Sequence, residues 1–298
     1  MALALGISEQ ELHSLTKQSD SLFFRTKLID KPDGTFRETF DVAPGLKSIH
    51  AKICAIFFKR VNYPDYLQGS LKQRDYISDA KKHVGSKLLI SEDISNFFPS
   101  ISKKIVVEMW VGVFKFSPEV AECLAELVTK NGFVVQGAKT SSYVCNLILW
   151  NREALLANSL KAKGLTYSRY VDDVTVSAKR ELNLKEKSEV IKSIYSVFMS
   201  VGAKPNRKKH KIMPRSGQQD VHGVNVNKLA PSMPKTKRNQ IRAAVNCCER
   251  KFVDDPSSLE YIALFNSTLG RVNTLARMHK REAQQLKERL TKIKPIKN

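Results

Sequence analysis

Alternating apolar and polar residues near the middle of the chain predict a β-hairpin. From Val174 to Ala178, valine or alanine occupies every second position with hydroxyl residues between them, which is the period-2 pattern of a half-buried strand. The run 166–170 before it is rich in tyrosine and also favours a strand. Two adjacent acids, Asp172 and Asp173, separate the two runs, so we expect both carboxylates at the turn of the hairpin.

Three other segments favour strands. An apolar run from Leu88 ends at Asp93, and residues 221–227 alternate apolar and polar side chains. Residues 31–37 contain Asp-Gly, a strong signal for a hairpin turn, and therefore predict two flanking strands.

Apolar residues three and four positions apart predict helices over much of the remaining chain. The pattern between residues 105 and 130 is split by Ser117-Pro118, a pair that can cap and start a second helix, so two helices are expected there. The other helical patterns cover 8–26, 46–61, 184–200 and most of the chain after Pro234. No repeat or low-complexity segment interrupts these patterns, so we expect a compact chain.

The charge balance predicts a polyanionic partner. In a chain of 298 residues, 50 Lys and Arg residues face 29 Asp and Glu residues, a net charge of +21, and such an excess favours nucleic acid. A membrane surface is the alternative, but no apolar run approaches the ~20 residues that span a bilayer, and no lipidation signal is present. The length suits about two domains.

The N-terminus and the cysteines indicate the compartment. Met-Ala-Leu-Ala-Leu-Gly is apolar but short, and it lacks the basic start and long apolar stretch of a signal peptide. Five cysteines without a Cys-x-x-Cys pair suggest neither a disulfide framework nor a zinc site. We therefore expect a cytoplasmic protein.

The acid pair allows two interpretations. Neighbouring carboxylates in so basic a chain form a hard-oxygen site suited to Mg²⁺, which takes one or two protein carboxylates together with substrate phosphates. Asp also tolerates turn geometry, so Asp pairs are common in hairpin turns without any bound ion. The hairpin by itself favours neither interpretation.

Three stretches together resemble a known family. They read Asp-Ile-Ser-Asn-Phe-Phe-Pro-Ser-Ile at 93–101, Gln-Gly-Ala-Lys-Thr-Ser-Ser-Tyr-Val-Cys-Asn at 136–146 and Tyr-Val-Asp-Asp at 170–173. In this order they look like motifs A, B and C of reverse transcriptases, and the short bacterial retron enzymes are the most similar members. The resemblance implies a right-hand polymerase fold of class α+β, with fingers, a palm of antiparallel sheet plus helices, and a helical thumb.

The same resemblance implies domain boundaries. Residues 1–92 would form an N-terminal helix and the fingers, 93–228 the palm with part of the fingers around 110–136, and 229–298 the thumb. From Lys228 on, sixteen basic residues face six acidic ones. Basic helices can hold a duplex by its phosphates and its A-form shape, so the thumb is expected to bind RNA.

The resemblance implies that Asp93, Asp172 and Asp173 are catalytic and bind two Mg²⁺ ions, with Ile94 as a further metal ligand. Asp93 lies far from the acid pair in sequence, so only a fold that sets two strands side by side lets these carboxylates share ions. Two ions ~3.5–4 Å apart would neutralise the charge that grows on the attacking and leaving oxygens of nucleotidyl transfer. The alternative for Asp93 is a helix or turn cap.

Substrate-binding residues are implied by the same motifs. Arg37, and Lys31 on the same hairpin, match positions whose basic side chains reach the triphosphate; the alternative is a solvated hairpin tip. Phe98 matches an aromatic residue that clashes with a 2′-hydroxyl and so selects deoxynucleotides; the alternative is an ordinary core residue. Gln136 matches a residue that, with the helix after it, cradles the base and sugar, and Gly137 would permit close backbone approach to the nucleotide.

Two further segments extend the resemblance. Residues Asn206 to Lys209 look like motif D and make Lys209 a candidate general acid near the leaving pyrophosphate, although such a charge run is usually a solvated surface. Retron enzymes carry Asn-Ala-x-x-His and Val-Thr-Gly elements, and this chain has Asp79 in place of the asparagine and His222 in place of the threonine. We expect His83 of the first element to be structural.

The predicted function is therefore an RNA-directed DNA polymerase of retron type, which copies a structured noncoding RNA into single-stranded DNA, the msDNA, from deoxynucleoside triphosphates. The expected partners are that template RNA, its cDNA product and a separate effector protein of an anti-phage defence unit, without a membrane. Two alternatives stay open: another short bacterial reverse transcriptase of defence or abortive-infection type, and a non-catalytic nucleic-acid-binding module on a polymerase scaffold.

Overall fold

The computed structural model describes residues 1–30, 34 and 36–296. The helices are α1 (Ala2–Leu5), α2 (Glu9–Lys17), α3 (Pro44–Ile56), α4 (Tyr76–Lys82), α5 (Phe97–Ser100), α6 (Lys103–Phe114), α7 (Pro118–Val128), α8 (Ser141–Leu147), α9 (Trp150–Ala162), α10 (Leu184–Met199), α11 (Lys235–Asp254), α12 (Leu259–Ala276) and α13 (Lys280–Thr291). The strands are β1 (Phe23–Asp30), β2 (Phe36–Val42), β3 (Leu88–Ser95), β4 (Leu165–Tyr170), β5 (Asp173–Ala178), β6 (Lys204–Pro205), β7 (Lys211–Pro214), β8 (Asp220–Val221) and β9 (Val224–Asn225).

Two compact units make up the chain, and each is discontinuous in sequence. Unit 1 comprises Met1–Tyr76 and Leu88–Ile212, and unit 2 comprises Ile77–Lys87 and the chain from Met213 onward. Each unit has its own cluster of buried apolar side chains. The boundaries 1–92, 93–228 and 229–298 derived from the sequence stay a proposal.

Unit 1 is built around an antiparallel sheet in the order β4-β5-β3-β6. β3 lies between two other strands and is buried at most positions, in agreement with its Leu-Leu-Ile run. Its register sets Asp93 opposite Asp173 of β5. The predicted hairpin is confirmed, with β4 and β5 joined by Val171 and Asp172.

Helices surround this sheet within unit 1. The two helices predicted between 105 and 130 are confirmed as α6 and α7, and Pro118 begins α7. Aromatic rings fill the space between α3 and α6, where Phe58 stacks on Trp110 at a centroid distance of 5.0 Å and Phe114 packs against the same indole. These contacts bury large apolar area, the main favourable term in folding.

Two predicted elements were wrong in extent. The helix expected over 8–26 ends at Lys17, and β1 begins at Phe23, because Phe23 pairs with Val42 of β2 and buries its ring against His50. Such pairing with a distant strand overrides local helical spacing. The single strand expected over 221–227 is a hairpin of β8 and β9, whose turn holds His222 and Gly223 at positive φ.

Helices α11, α12 and α13 pack around a core of their own in unit 2, formed by apolar residues such as Val245, Val272 and Leu286. Ion pairs tie α11 to α13: Arg238 and Arg242 both bind Glu282. The helical pattern predicted after Pro234 is confirmed. Across the described residues, no helix combines the length and apolar character needed to traverse a bilayer.

The segment Ile77–Lys87 belongs to unit 2 through contacts with its β8–β9 region. The Gly85 N–H donates to the Val226 carbonyl at 2.8 Å. His222 Nε2 lies 2.7 Å from the buried carboxylate Oδ2 of Asp79. Asp79 and His222, which both depart from the retron elements, therefore contact each other.

Candidate active site

The turn between β4 and β5 has a strained backbone. Val171 adopts a φ of +59°, a conformation that a β-branched residue rarely takes and that costs about 1–3 kcal/mol. The Ile94 N–H of β3 donates to the Asp172 carbonyl at 3.0 Å. This bond ties the turn to the strand that carries Asp93.

Arg169 supports the turn from inside the unit. Its buried guanidinium binds Glu153 of α9 through two bonds, 2.6 Å from Nε and 2.8 Å from Nη2. It also donates to the main-chain carbonyls of Val171 at 2.9 Å and of Cys145 and Asn146 in α8. Because a buried charge is tolerated only when it is paired and hydrogen-bonded, Arg169 fixes the turn against α8 and α9.

Gly69 lets a second segment pack directly against the turn. A Cβ at this position would lie 2.6 Å from the Val171 nitrogen, closer than real side-chain contacts come. Asn146 Nδ2 donates to the Gly69 carbonyl at 2.8 Å, which holds the segment in place. A larger residue at 69 would therefore displace the turn.

Asp93 is held by the segment that follows β6. Its side chain is 5% exposed; Asn206 Nδ2 donates to Oδ1 at 2.9 Å and Lys209 Nζ donates to Oδ2 at 2.8 Å. Burial raises the pKa of Asp93, although these two hydrogen bonds act in the opposite direction. The same contact raises the pKa of Lys209, so the ammonium is retained beside the carboxylate.

Asp172 lies in a region short of positive charge. Burial first, and the charge of Asp173 second, raise the pKa of Asp172 to about 6. Asp93 adds to this repulsion, and Lys209 opposes it. The structure thus gathers the three predicted carboxylates and one ammonium within mutual electrostatic reach.

One cleft of unit 1 brings most of the predicted site residues together. Its lining includes Arg37, Asp93, Ile94, Phe98, Gln136, Asp172 and Lys209. Of the predicted site residues that the structure describes, Asp173 and Gly137 do not line this cleft. Lys31, like Asp33 of the predicted turn, lies outside the described residues, so its contact with a triphosphate stays a prediction.

Gly137 serves a contact with β2 in this structure. It adopts a φ of +110°, and a Cβ there would lie 2.4 Å from the Phe40 carbonyl oxygen. The Phe40 N–H donates to the Gln136 carbonyl at 2.8 Å. The close approach that the glycine permits is therefore to the main chain of β2, and the expected approach to a nucleotide stays a prediction.

The carboxylates of the cleft fit a magnesium ion. Mg²⁺ takes one or two protein carboxylates plus phosphate oxygens, and Asp93 and Asp172 would supply the carboxylates. Burial first, and the neighbouring carboxylates second, raise the pKa of Asp172, and a bound cation would favour its charged form. Ile94 can offer only its main-chain carbonyl. Within residues 1–30, 34 and 36–296, no three His, Cys, Asp or Glu side chains are arranged to hold a metal by themselves.

Comparison with known proteins decides the family. A family model described as reverse transcriptase (RNA-dependent DNA polymerase) matches residues 29–231. The chain is 35% identical over 299 residues to the retron Se72 reverse transcriptase of Salmonella heidelberg (strain 579083-10), which covers 99% of this chain and 79% of that protein. The chain belongs to the reverse transcriptase family. The retron Ec48 reverse transcriptase of Escherichia coli is 32% identical over 310 residues, which covers 99% of this chain and 76% of that one.

These relatives confirm the predicted retron type, and this reverse transcriptase is an RNA-directed DNA polymerase. A solved structure of apo telomerase from Candida tropicalis is similar at a TM-score of 0.50 and 12% identity, over 96% of this chain and 68% of that chain. At this identity the likeness concerns the fold alone. It confirms the right-hand polymerase fold of class α+β.

Sequence reasoning missed the residues that support the site of this reverse transcriptase. Arg169 lies two positions from Tyr167 on the inward side of an alternating strand, and a charged residue there signals a buried ion pair. Glu92 is fully buried next to Asp93 in β3, where it meets His210, and burial raises the pKa of Glu92. Neither Glu92 nor His210 carries a sequence signal, because their contact joins segments far apart in the chain.

Proposed function

We propose that this reverse transcriptase copies a structured noncoding RNA into msDNA at the cleft where Asp93 and Asp172 meet. The observation that carries the proposal is this meeting of a carboxylate of β3 with one of the β4–β5 turn, in the same cleft as Arg37, Phe98 and Lys209. The identity with two retron enzymes over 99% of the chain supports a template RNA of retron type. The proposed primer is an internal 2′-hydroxyl of that RNA.

Each side chain of the cleft has a task in this proposal. Arg37 pairs with triphosphate oxygens, for which its planar fork is suited. Phe98 blocks a 2′-hydroxyl on the incoming nucleotide. Lys209 donates a proton to the leaving pyrophosphate, and its raised pKa retains the proton until that step.

Asp93 and Asp172, with the Ile94 carbonyl, are the groups that would hold two Mg²⁺ ions, and Asp173 supports them from the facing strand. Ions bound there would supply the positive charge that nucleotidyl transfer needs at the attacking and leaving oxygens. Asp93 lies near the end of β3, and Asp172 lies in the turn that precedes the paired strand β5. Arg169 keeps the turn that carries Asp172 in place.

The basic helices of unit 2 are the proposed RNA-binding element. Lys235, Lys280 and Arg281 are exposed, and none of them forms an ion pair with another described residue. Their ammonium and guanidinium groups are available to phosphates of an A-form duplex. A separate effector protein, acting with the reverse transcriptase and its DNA product against phage, completes the proposed unit.

The substitution Asp172→Asn tests the catalytic part. Primer extension on an RNA template with Mg²⁺ should be abolished, while RNA affinity should stay within about twofold, because the basic surface is unchanged. Glu108→Gln, at an exposed position of α6, is the matched control and should extend at the wild-type rate. Extension by Asp172→Asn at the wild-type rate would show that the assignment is wrong.

The msDNA part has its own test. Nucleic acid that copurifies with the protein should contain one structured RNA joined to its DNA copy, and sequencing both strands identifies template and primer. Copurifying RNA without any complementary DNA, in an enzyme that extends added primers, would contradict the msDNA proposal and leave the polymerase assignment intact.

A further inference from the structure

The segment 204–210 runs along β3 and contacts the sheet from two sides. Lys204 and Pro205 of β6 pair with Ser95 and Ile94 of β3, and the Asn206 N–H donates to the Asp93 carbonyl at 2.7 Å. From this main-chain attachment the segment reaches the two consecutive acids of β3. Because successive side chains of a strand point to opposite faces, these acids lie on opposite faces of the sheet.

Lys209 and His210, which are consecutive in the segment, each bind one of the two acids of β3. Lys209 Nζ binds Asp93 on the cleft face. His210 Nδ1 lies 2.6 Å from Oε1 of Glu92, which points away from the cleft, and Tyr195 of α10 donates to the other oxygen of Glu92 at 3.1 Å. The segment thus contacts β3 on both faces of the sheet: Lys209 with Asp93 on the cleft face, and His210 with Glu92 on the opposite face, which we call the rear contact.

The two contacts differ in solvent exposure. Both carboxylates are buried, at 5% exposure for Asp93 and 0% for Glu92, but the Lys209 side chain is 59% exposed and the His210 side chain 31%. Exposed charged partners hold a geometry weakly, so the more exposed Lys209 is held less firmly than His210. The rear contact is therefore the fixed point of the segment, and Lys209 is the part that can leave Asp93 during a reaction.

We infer that Glu92 and His210 are positioning residues, which anchor the segment behind β3 so that Lys209 returns to the same place beside Asp93 in every catalytic cycle. The inference rests on the proposed role of Lys209. Neither residue lines the cleft, so both act through the backbone that joins His210 to Lys209. The anchor ties the speed of proton transfer to a contact outside the cleft.

A double-mutant cycle on primer extension tests the inference. His210→Ala should lower the maximal rate about tenfold with little change in the KM for deoxynucleotides, because a misplaced general acid loses part of its ~10²–10⁴-fold contribution. In a Lys209→Ala background the same His210→Ala change should alter the rate by less than about twofold, since the residue that it positions is gone. Thermal melts show whether each variant stays folded.

Conservative variants separate positioning from general support. His210→Asn keeps an N–H donor close to the place of Nδ1 and should recover most of the rate. Tyr195→Phe removes the other partner of Glu92 without touching the segment, so its rate should stay within about twofold of wild type. If His210→Ala slows the Lys209→Ala enzyme as much as the wild type, the anchor does not act through Lys209 and the inference fails. If Lys209→Ala extends at the wild-type rate, the general-acid role and the anchor fall together, while Asp172→Asn still tests the catalytic site.

Discussion

Asp93 and Asp173 lie directly opposite each other across the antiparallel strands β3 and β5. Like charges in this relation destabilise a sheet, and Asp172 follows in the adjoining turn. A folded protein that retains this arrangement holds unfavourable charge, which the Lys209 ammonium bonded to Asp93 offsets in part.

The metal-free protein should lose stability as pH rises through the titration of Asp172. Its pKa of about 6 in the folded state lies above the ordinary 3.8, so the native state binds the proton more tightly, and this contribution is complete below about pH 4 and lost above about pH 6. Thermal melts in chelator should show Asp172→Asn gaining on wild type between about pH 4.5 and 7.5. An unchanged difference between the two proteins over this range would contradict the raised pKa.

Truncation of Phe98 should relax sugar selection. Phe98 is half-buried and lines the cleft, so Phe98→Val removes a steric block and should raise ribonucleotide relative to deoxynucleotide incorporation about 10- to 100-fold. Phe198→Val is the matched control, because this ring is 1% exposed in the core and does not line the cleft, so it should lose about 1–3 kcal/mol of unfolding free energy without altering selection. If a folded Phe98→Val enzyme discriminates between ribonucleotides and deoxynucleotides as well as the wild type, Phe98 is an ordinary core residue.

Asp79 and His222 should be energetically coupled. Their hydrogen bond joins a buried carboxylate to the β8–β9 turn, so Asp79→Asn and His222→Asn together should cost less than the sum of the single changes by about 1–3 kcal/mol. Asparagine suits position 222 because it tolerates positive φ. Denaturant unfolding measures the cycle, with exposed Lys81→Ala as a control within about 0.5 kcal/mol. If the two single losses of unfolding free energy simply add in the double variant, Asp79 and His222 contribute to stability independently.

Neutral substitutions in unit 2 should act on RNA binding through phosphates. Lys280→Ala or Arg281→Ala should weaken binding to any A-form duplex by a similar factor and flatten the slope of log K against log salt by about 0.7–0.9. Arg242→Ala is the control, since its guanidinium is engaged by Glu282 and should change the slope less. Loss of one particular RNA, with other duplexes and the salt slope unaffected, would instead indicate a structure-specific reader.

The spacing of apolar residues and single turn or cap residues correctly predicted elements whose formation depends on neighbouring residues. The alternation after Val174 located β5, and Pro118 located the start of α7, because strand alternation and helix initiation are properties of neighbouring residues. Phe23 was assigned to a helix because its strand partner Val42 lies beyond the range of any local signal. The pairing of β1 with β2 therefore determines the conformation at Phe23.

The candidate site divides in the same way. Asp93, Asp172 and Lys209 were found through resemblance of short motifs, and the structure brings them to one cleft. Arg169 and Glu153, which hold the turn, were missed because their bonds to each other are visible only once α9 packs on β4. Groups that support a site from behind are specified by packing and carry little motif of their own.

The discontinuity of unit 2 has a consequence for synthesis on the ribosome. At ~5–20 residues per second, roughly 6 to 25 seconds pass between the emergence of Ile77–Lys87 and that of the chain from Met213 onward. During this time Asp79 lacks its hydrogen-bond partner His222, which has not yet been synthesised. Ile77 and Ala80, which are buried in the folded protein, lack the part of unit 2 that follows Met213. When Met213 emerges, all of unit 1 has been synthesised and Ile77–Lys87 is the part of unit 2 already made, so this segment lacks its unit 2 partners until the chain from Met213 onward follows.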